Sequence, residues 1–412
     1  MSPHLYSQIG SQISATMRRT SRPAVLLVIL IGTVIGMSGC AVNPITGKSE
    51  VSWISEAEEI SIGDKQYLPS RQSQGGDYLA DPEINRYINE VGNRVTRAGD
   101  RYLPYEFVVL NNSVPNAWAL PGGKIAINRG LLLELKNEAE LAAVLGHEAV
   151  HAAAKHGANS MQRSQLIQGI VLATQLSTAD LGYGNYIVEG AQLGAQLINH
   201  RYSRGAELEA DYYGIKFMSR AGYEPRAAVS LQETFMRLSE SPQSSWVGGL
   251  FASHPPSQAR VQANIETIRE LQLPAGDTYQ DHYQQKIAYL VETKPAYDKY
   301  DLARTLSQNN ELDSALESVD QAIKLVPEEA LFHGLQGNIH YQQTHYKKAT
   351  AAYNRALKLD DSYFEYYLGR GLTNRKLGKL KAARKDFQRS NQLLPTAVAN
   401  RALDELSIAS ED

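Results

Sequence analysis

Asn137 to His156 reads NEAELAAVLGHEAVHAAAKH, and this stretch decides how the chain around it folds. It contains no proline and is rich in Ala, Leu and Glu, which favour helix. Leu141, Val144, Leu145, Glu148, His151 and Ala152 recur at three- and four-residue steps. One face of the predicted helix is therefore both buried and chemically active. His147 and His151 are four apart and share that face, so both imidazoles can meet one ion. Glu148 sits one step round the helix. Two histidines at this spacing with a glutamate between them form the zinc-binding and general-base set of a peptidase helix. Gly157 is the expected helix stop.

A catalytic zinc takes three protein ligands and keeps one position open. A third histidine would be needed ten residues after His147, but that position is Gly157. His156 is one short and falls off the metal face, which makes it a packing or capping residue. A carboxylate fits better. Arg204 to Asp211 (RGAELEAD) reads as the start of a second helix. Glu207 and Asp211 are four apart on one face, while Glu209 points away as a solvated charge. Glu207 is then the third ligand. Asp211 accepts from the outer nitrogen of a ligand histidine and fixes its tautomer, and Arg204 orients Glu207 or Asp211.

Further stretches carry a family resemblance. They are Asn116 to Gly123 (NAWALPGG), the HEAVH run, Tyr202-Ser203-Arg204, Glu207 with Ala210-Asp211, and Ser253-His254-Pro255. Together they resemble the gluzincin zinc metallopeptidases of the HtpX and CAAX-prenyl-protease type. Within that group they are similar to the periplasmic branch of beta-barrel assembly-enhancing proteases. The resemblance spans roughly Asn43 to Arg269. It implies one zinc ion per chain on His147, His151 and Glu207, with Glu148 as the catalytic carboxylate. In gluzincins an edge strand beside the zinc helix holds substrate by backbone pairing. That role falls here on Asn116, Ala117, Trp118 and Ala119, and it suits an extended or unfolded polypeptide.

The rest of the peptidase region reads as helices with little sheet. Trp53 to Asp100 is helical in pattern, Tyr105 to Asn111 is a strand, and Trp118 to Asn128 is a hairpin turning at Pro121-Gly122-Gly123. Helices continue to about Leu273, with Ile167 to Leu176 read as a core helix. Ser177 to Asn185 reads as a mobile loop. Ser239 to Pro256 reads as a loop over the cleft, from which His254 reaches the open zinc position or stabilises an oxyanion. Tyr202 is the other candidate oxyanion donor.

Arg18, Arg19 and Arg22 followed by apolar Ala24 to Met37 form an expected signal peptide, and Met37-Ser38-Gly39-Cys40 resembles a lipobox. Met17 is an alternative start. Cys40 is the only cysteine, so it is the expected lipidation site, and no disulfide can form within the mature chain. Ala41-Val42 after it lacks an aspartate, which favours a periplasmic, lipid-anchored protein at the outer membrane over the inner. The net charge of −3 becomes −6 once those three arginines are removed. Mild acidity makes no case for nucleic acid.

Beyond Lys294 a period of 34 appears. Ala303, Gly337 and Gly371 align, as do Ala315, Ala349 and Ala383, then Val319, Tyr353 and Phe387, then Ala322, Ala356 and Ser390. Small residues at helix crossings with an apolar plug are the tetratricopeptide signature. Tyr341, Tyr346, Tyr363, Tyr366 and Tyr367 are candidates for a partner groove. The fold class is mainly α (α+β): a gluzincin domain with a small sheet beside the zinc helix, then an α-solenoid. The expected divisions are signal peptide 1–39, lipidated linker 40–52, peptidase 53–273, linker helix 274–295, three repeats 296–395, and cap helix with tail 396–412. The expected activity is zinc endopeptidase quality control of unfolded or misassembled envelope proteins, with outer-membrane assembly machinery as the partner. The alternative is a chaperone or scaffold acting through the repeats, with an occluded zinc site.

Overall fold

The computed structural model describes residues 40–52, 54–163, 201–240 and 248–408. The expected signal peptide, the 167–176 helix, the 177–185 loop and the last four residues lie outside them. No helix among the described residues is long and apolar enough to cross a membrane.

Residues up to Ser55 form one compact unit and Glu56 onward another. In the first, strands β1 (Cys40–Val42) and β2 (Ser49–Val51) pair antiparallel. The expected linker is thus a hairpin. Its turn is held by the Asn43 side chain, which accepts from the amides of Ile45 and Thr46 at 2.9 and 3.1 Å. Such side-chain-closed turns are a habit of Asn.

The second unit begins with helices α1 (Glu56–Ser73) and α2 (Pro82–Arg97). Asp81 caps α2 and Pro82 opens it, as expected where first-turn amides lack partners. Strands β3 (Glu106–Leu110), β4 (Ala117–Leu120) and β5 (Lys124–Asn128) make a sheet of order β3-β5-β4. β5 is parallel to β3 and antiparallel to β4, with Trp118 opposite Ala126. The predicted hairpin therefore forms, and β4 is an edge.

After the short helix α3 (Arg129–Leu132) comes the zinc-motif helix α4 (Glu138–Ala153), every residue of which is buried. The Asn137 side chain caps it, accepting from the Glu140 amide at 2.9 Å. It stops at Ala153 and not at Gly157: Lys155 takes a left-handed φ of 60°, and residues 156–163 start a new helix. Helices α5 (Arg204–Arg220), α6 (Ala227–Ser239), α7 (Gly248–Ser253) and α8 (Gln258–Glu270) complete the peptidase core. The predicted loop between Ser239 and Pro256 thus ends in a short helix, with 241–247 outside the described residues. Ser203 and Ser257 cap α5 and α8.

Helices α9 (Gln280–Lys286) and α10 (Ala288–Gln308) lead into the solenoid. The expected linker helix and the first repeat helix merge in α10. The pairs α10/α11 (Leu312–Leu325), α12 (Ala330–Gln342)/α13 (Tyr346–Leu359) and α14 (Phe364–Lys376)/α15 (Leu380–Leu393) are the repeats, and α16 (Ala397–Ile408) caps them. Ala315, Ala349, Ala383, Val319, Tyr353 and Phe387 are buried as the period requires.

The repeats dock on the peptidase through buried polar groups. The Arg129 guanidinium lies 3.4 Å from the Tyr297 ring centroid and donates to Asn111 Oδ1 at 2.9 Å. Glu329 accepts from Asn111 Nδ2 at 3.2 Å and from the Tyr297 hydroxyl. Gln72 donates to the Ser362 carbonyl and accepts from the Phe364 amide. Unpairing such groups would leave them buried and unsatisfied, which is costly.

Of the expected groove tyrosines, Tyr341 lines a cavity of about 500 Å³ with Arg304, Asn338, Tyr353 and Leu368. Tyr363 and Tyr366 do not: both are buried, Tyr363 over Gly76 and Tyr366 over Gly334. Tyr346 packs against Tyr341 with the rings tilted at 57°, and Tyr367 lies near Arg370 and Arg389.

Candidate active site

Helices α4 and α5 cross at paired glycines. A Cβ on Gly214 would sit 3.1 Å from the His147 nitrogen, and one on Gly146 would sit 3.2 Å from the Gly214 oxygen. A side chain at either position would press on the facing backbone, so the glycines suit this close approach, which carries Glu207 over the two histidines.

Four donor groups converge. His147 Nε2 and His151 Nε2 are 3.0 Å apart. Glu207 lies 3.6 Å from the first and 3.4 Å from the second. His254 Nδ1 is 3.3 Å from His147 Nε2 and 3.0 Å from Glu207 Oε1. All four residues are buried, with their ligand atoms within 4.8 Å of one another. Donors about 2.0–2.1 Å from a central ion in a tetrahedron lie about 3.3 Å from each other. The observed separations therefore fit one tetrahedral ion. Glu148 Oε2 is buried without a hydrogen-bond partner, and Glu148 Oε1 is 3.6 Å from His254 Nε2. A buried unpaired carboxylate oxygen beside a nitrogen-and-oxygen donor set suits a metal with an attached water.

The electrostatics agree with that fit. Burial drives the His151 pKa well below its usual value, so the ring is neutral and its lone pair is available. Burial alone would raise the Glu207 pKa, but the facing imidazoles of His254, His151 and His147 outweigh it and keep the carboxyl ionised. For His254 the balance is opposite: burial lowers its pKa, and the Glu148 and Glu207 charges more than restore it. Burial, then the Glu148 and Glu207 charges, push the Tyr202 hydroxyl up, so it stays protonated. Its ring stacks on His151 at 3.9 Å.

Around these groups the structure places some expected residues and corrects others. Asp211 Oδ1 is 2.9 Å from His147 Nδ1. The arginine that holds Glu207 and Asp211 is Arg260, from α8, and not Arg204. Arg260 reaches Glu207 Oε2 at 2.8 Å and grips Asp211 with two bonds of 2.7 Å. Burial opposes the Asp211 charge, but Arg260 outweighs it and lowers that carboxyl's pKa. Arg204 is exposed at the first turn of α5. His156 is not a bystander: its Nδ1 is 2.9 Å from His151 Nδ1 and its Nε2 is 3.2 Å from Glu209 Oε1. Glu209, read as a solvated charge, is correspondingly half-buried.

Arg101 supports the zinc-motif helix from a loop. It is buried, pairs with Glu59 at 2.7 Å, and donates to the Ala153 carbonyl at 2.9 Å, capping the last turn of α4. A lone arginine in a loop carries no sequence signal for this role.

In the expected substrate strand, Trp118 belongs to a core cluster with Tyr67, Leu110, Leu120 and Ala126. It is therefore a structural side chain. The Asn116 carbonyl accepts from the Asn128 amide at 2.8 Å. Alternation along the pair then turns the backbone groups of Ala117 and Ala119 away from β5, toward the outer edge of the sheet, where both residues are buried.

The model of peptidase family M48 matches residues 80–268, and a tetratricopeptide-repeat model matches 300–362 and 335–397. The chain carries a peptidase family M48 domain, followed by tetratricopeptide repeats. Over 190 residues it is 33% identical to the beta-barrel assembly-enhancing protease of Yersinia pestis, a match covering 45% of this chain and 39% of that one. It is 34% identical over 193 residues to the mitochondrial metalloendopeptidase OMA1 of Schizosaccharomyces pombe, covering 45% and 54%. The chain thus spans about half the length, or less, of these curated relatives. The Arabidopsis OM64 TPR domain superposes on 28% of this chain and 96% of its own length, at 20% identity and a TM-score of 0.27. The M48 match takes in every donor residue of the cluster, since it runs past His254 and Arg260.

Proposed function

We propose that the chain is a zinc endopeptidase that cleaves unfolded or misassembled envelope proteins. The observation that carries this reading is the convergence of His147, His151 and Glu207 on one point with the unpaired Glu148 oxygen beside it. When bound, zinc supplies a Lewis acid and a water acidified to a pKa of about 7. Glu148 takes the water's proton and passes it to the departing amide nitrogen. Asp211 fixes the His147 tautomer, and Arg260 holds Asp211 and Glu207. The outer edge of β4, buried in this arrangement, is the edge that pairs with an extended substrate once uncovered, through backbone groups that read no side chains.

His254 sits at the fourth corner of the donor set, the position the reaction needs open. A peptide enters only when His254 leaves, so this arrangement is a closed state. The adjoining cavity, about 30 Å³ and lined by Val144, Glu148, Asp211 and Phe235, has room for a water but not a peptide. Replacing His254 with Ala is expected to raise peptide hydrolysis by the purified enzyme. A lower rate would instead make His254 part of the chemistry.

Lipid on Cys40 anchors the chain in the periplasm at the outer membrane, and the repeat groove binds assembly machinery or clients. The name of the Yersinia pestis relative, a beta-barrel assembly-enhancing protease, supports an envelope role. A Cys40→Ser chain that stays in the membrane fraction would remove the anchor from this account.

The central test is casein digestion by wild type and Glu148→Gln, with zinc measured in both. Cleavage is expected from the wild type alone, reduced about 10²–10⁴-fold in the variant, with one zinc in each. A zinc-free wild type sinks the reading.

A further inference from the structure

The two ligand histidines are held from behind in different ways. Both direct Nε2 at the donor cluster: the two atoms are 3.0 Å apart, and His151 Nε2 is 3.4 Å from Glu207 Oε1. Each therefore turns Nδ1 outward. His147 Nδ1 meets the Asp211 carboxylate directly at 2.9 Å. His151 Nδ1 meets another imidazole, that of His156, also at 2.9 Å. Behind His156 stands the Glu209 carboxylate, 3.2 Å from its Nε2. Side-chain exposure along this second arm is 0% at His151, 10% at His156 and 18% at Glu209, so water competes little at its inner end.

The proton positions follow from these contacts. A histidine that gives its Nε2 lone pair to a metal carries its hydrogen on Nδ1. His151 Nδ1–H then donates to His156 Nδ1, which must be the unprotonated nitrogen. His156 keeps its hydrogen on Nε2 and donates it to Glu209 Oε1. Each nitrogen and oxygen in the line has one role, and none conflicts.

The backbone is built for the line. In a continuous helix a residue five beyond His151 points off the metal face. Lys155 breaks α4 with a left-handed φ of 60°. The next helical segment starts at His156 itself, and the ring swings back behind His151. Tyr202 closes the other side, stacked on His151 at 3.9 Å and 6.1 Å from His156.

We propose that His156 and Glu209 are positioning residues that fix the His151 tautomer and ring direction through an imidazole–carboxylate line, and thereby set how tightly the site holds its metal. The proposal rests on the zinc reading above. Groups behind a ligand histidine typically alter metal affinity 10–100-fold. The His156 arm is longer and less buried than the Asp211 arm, so it is the arm through which metal retention is more easily weakened.

The test is zinc affinity by chelator competition on the full chain, beside the thermal midpoint of the metal-free form. His156→Leu is expected to bind zinc about 10–100-fold more weakly, with the metal-free form still unfolding cooperatively at a somewhat lower midpoint. His156→Asn offers an amide oxygen where Nδ1 stood and is expected to recover most of that loss. Glu209→Ala, at the more open end, is expected to lose affinity in the same direction by less than His156→Leu. Wild-type affinity in His156→Leu overturns the proposal while leaving the zinc reading intact, and so does an Asn variant as weak as Leu. If His156→Leu fails to fold, unchanged affinity in Glu209→Ala overturns it. A wild type that binds no zinc overturns the zinc reading itself.

Discussion

The repeat array and the peptidase site are built over different distances along the chain. In the repeats, Tyr353 bonds Asn338 15 residues away, and Arg370 bonds Asp386 16 away. In the site, His147 meets Asp211 across 64 residues and His254 across 107. Local packing repeats itself and so leaves a period in the sequence. A site drawn from four helices leaves only fragments, each ambiguous until the others are beside it. The same contrast governs how damage spreads: a repeat contacts its neighbours, whereas a ligand's support comes from far along the chain.

Arg260 offers the sharpest break of that comparison. Arg260→Leu leaves the Glu207 and Asp211 carboxylates buried without their cation, and loss of one partner of a buried pair costs about 3–5 kcal/mol. Denaturant unfolding should show that loss for Arg260→Leu, while Arg204→Ala should stay within about 0.5 kcal/mol of wild type. Equal effects would return Arg204 to the site.

Phe387→Ala probes the other region. Phe387 is fully buried in a cluster with Ala383, Ala399, Ala402 and Leu406, so its truncation should cost about 3–5 kcal/mol. Hydrogen exchange should place the opening in the last repeat and cap, with zinc affinity unchanged. Altered zinc affinity would mean that the docked repeats and the site act as one unit.

Gly214→Ala gives a smaller expected stability loss than Arg260→Leu or Phe387→Ala, about 1–3 kcal/mol from overpacking at the α4–α5 crossing. It should also weaken zinc binding, because spreading the helices draws Glu207 away from the histidines. Stability loss with unaltered zinc binding would show that the site tolerates a wider crossing.

Much of the site was legible in advance. His147, Glu148 and His151 share one helix, and a spacing of four is read directly. Glu207 and Asp211 follow the same rule on a second helix. Arg204 was chosen for its nearness in sequence, but residue 204 opens α5 toward solvent, and a more distant arginine takes the place. A continuous helix would carry His156 away from His151, but Lys155 turns the chain and brings it back; Glu209 does point away from the donor cluster, and what the sequence does not show is its partner His156 on another helix. Trp118 shares a strand with the edge residues, yet alternation sends its ring into the core.

Periodicities by themselves determined the helical class, the zinc-motif helix, the hairpin beside it and three repeats, because each depends on spacings within one or two elements. Tertiary structure alone decided the arginine that neutralises the carboxylates, the imidazole line behind His151, the placement of His254 beside His147 and Glu207, and the docking of repeats through Arg129, Tyr297 and Glu329. Those depend on where separate elements cross, and crossing is set by the packing of whole surfaces, which no short stretch encodes.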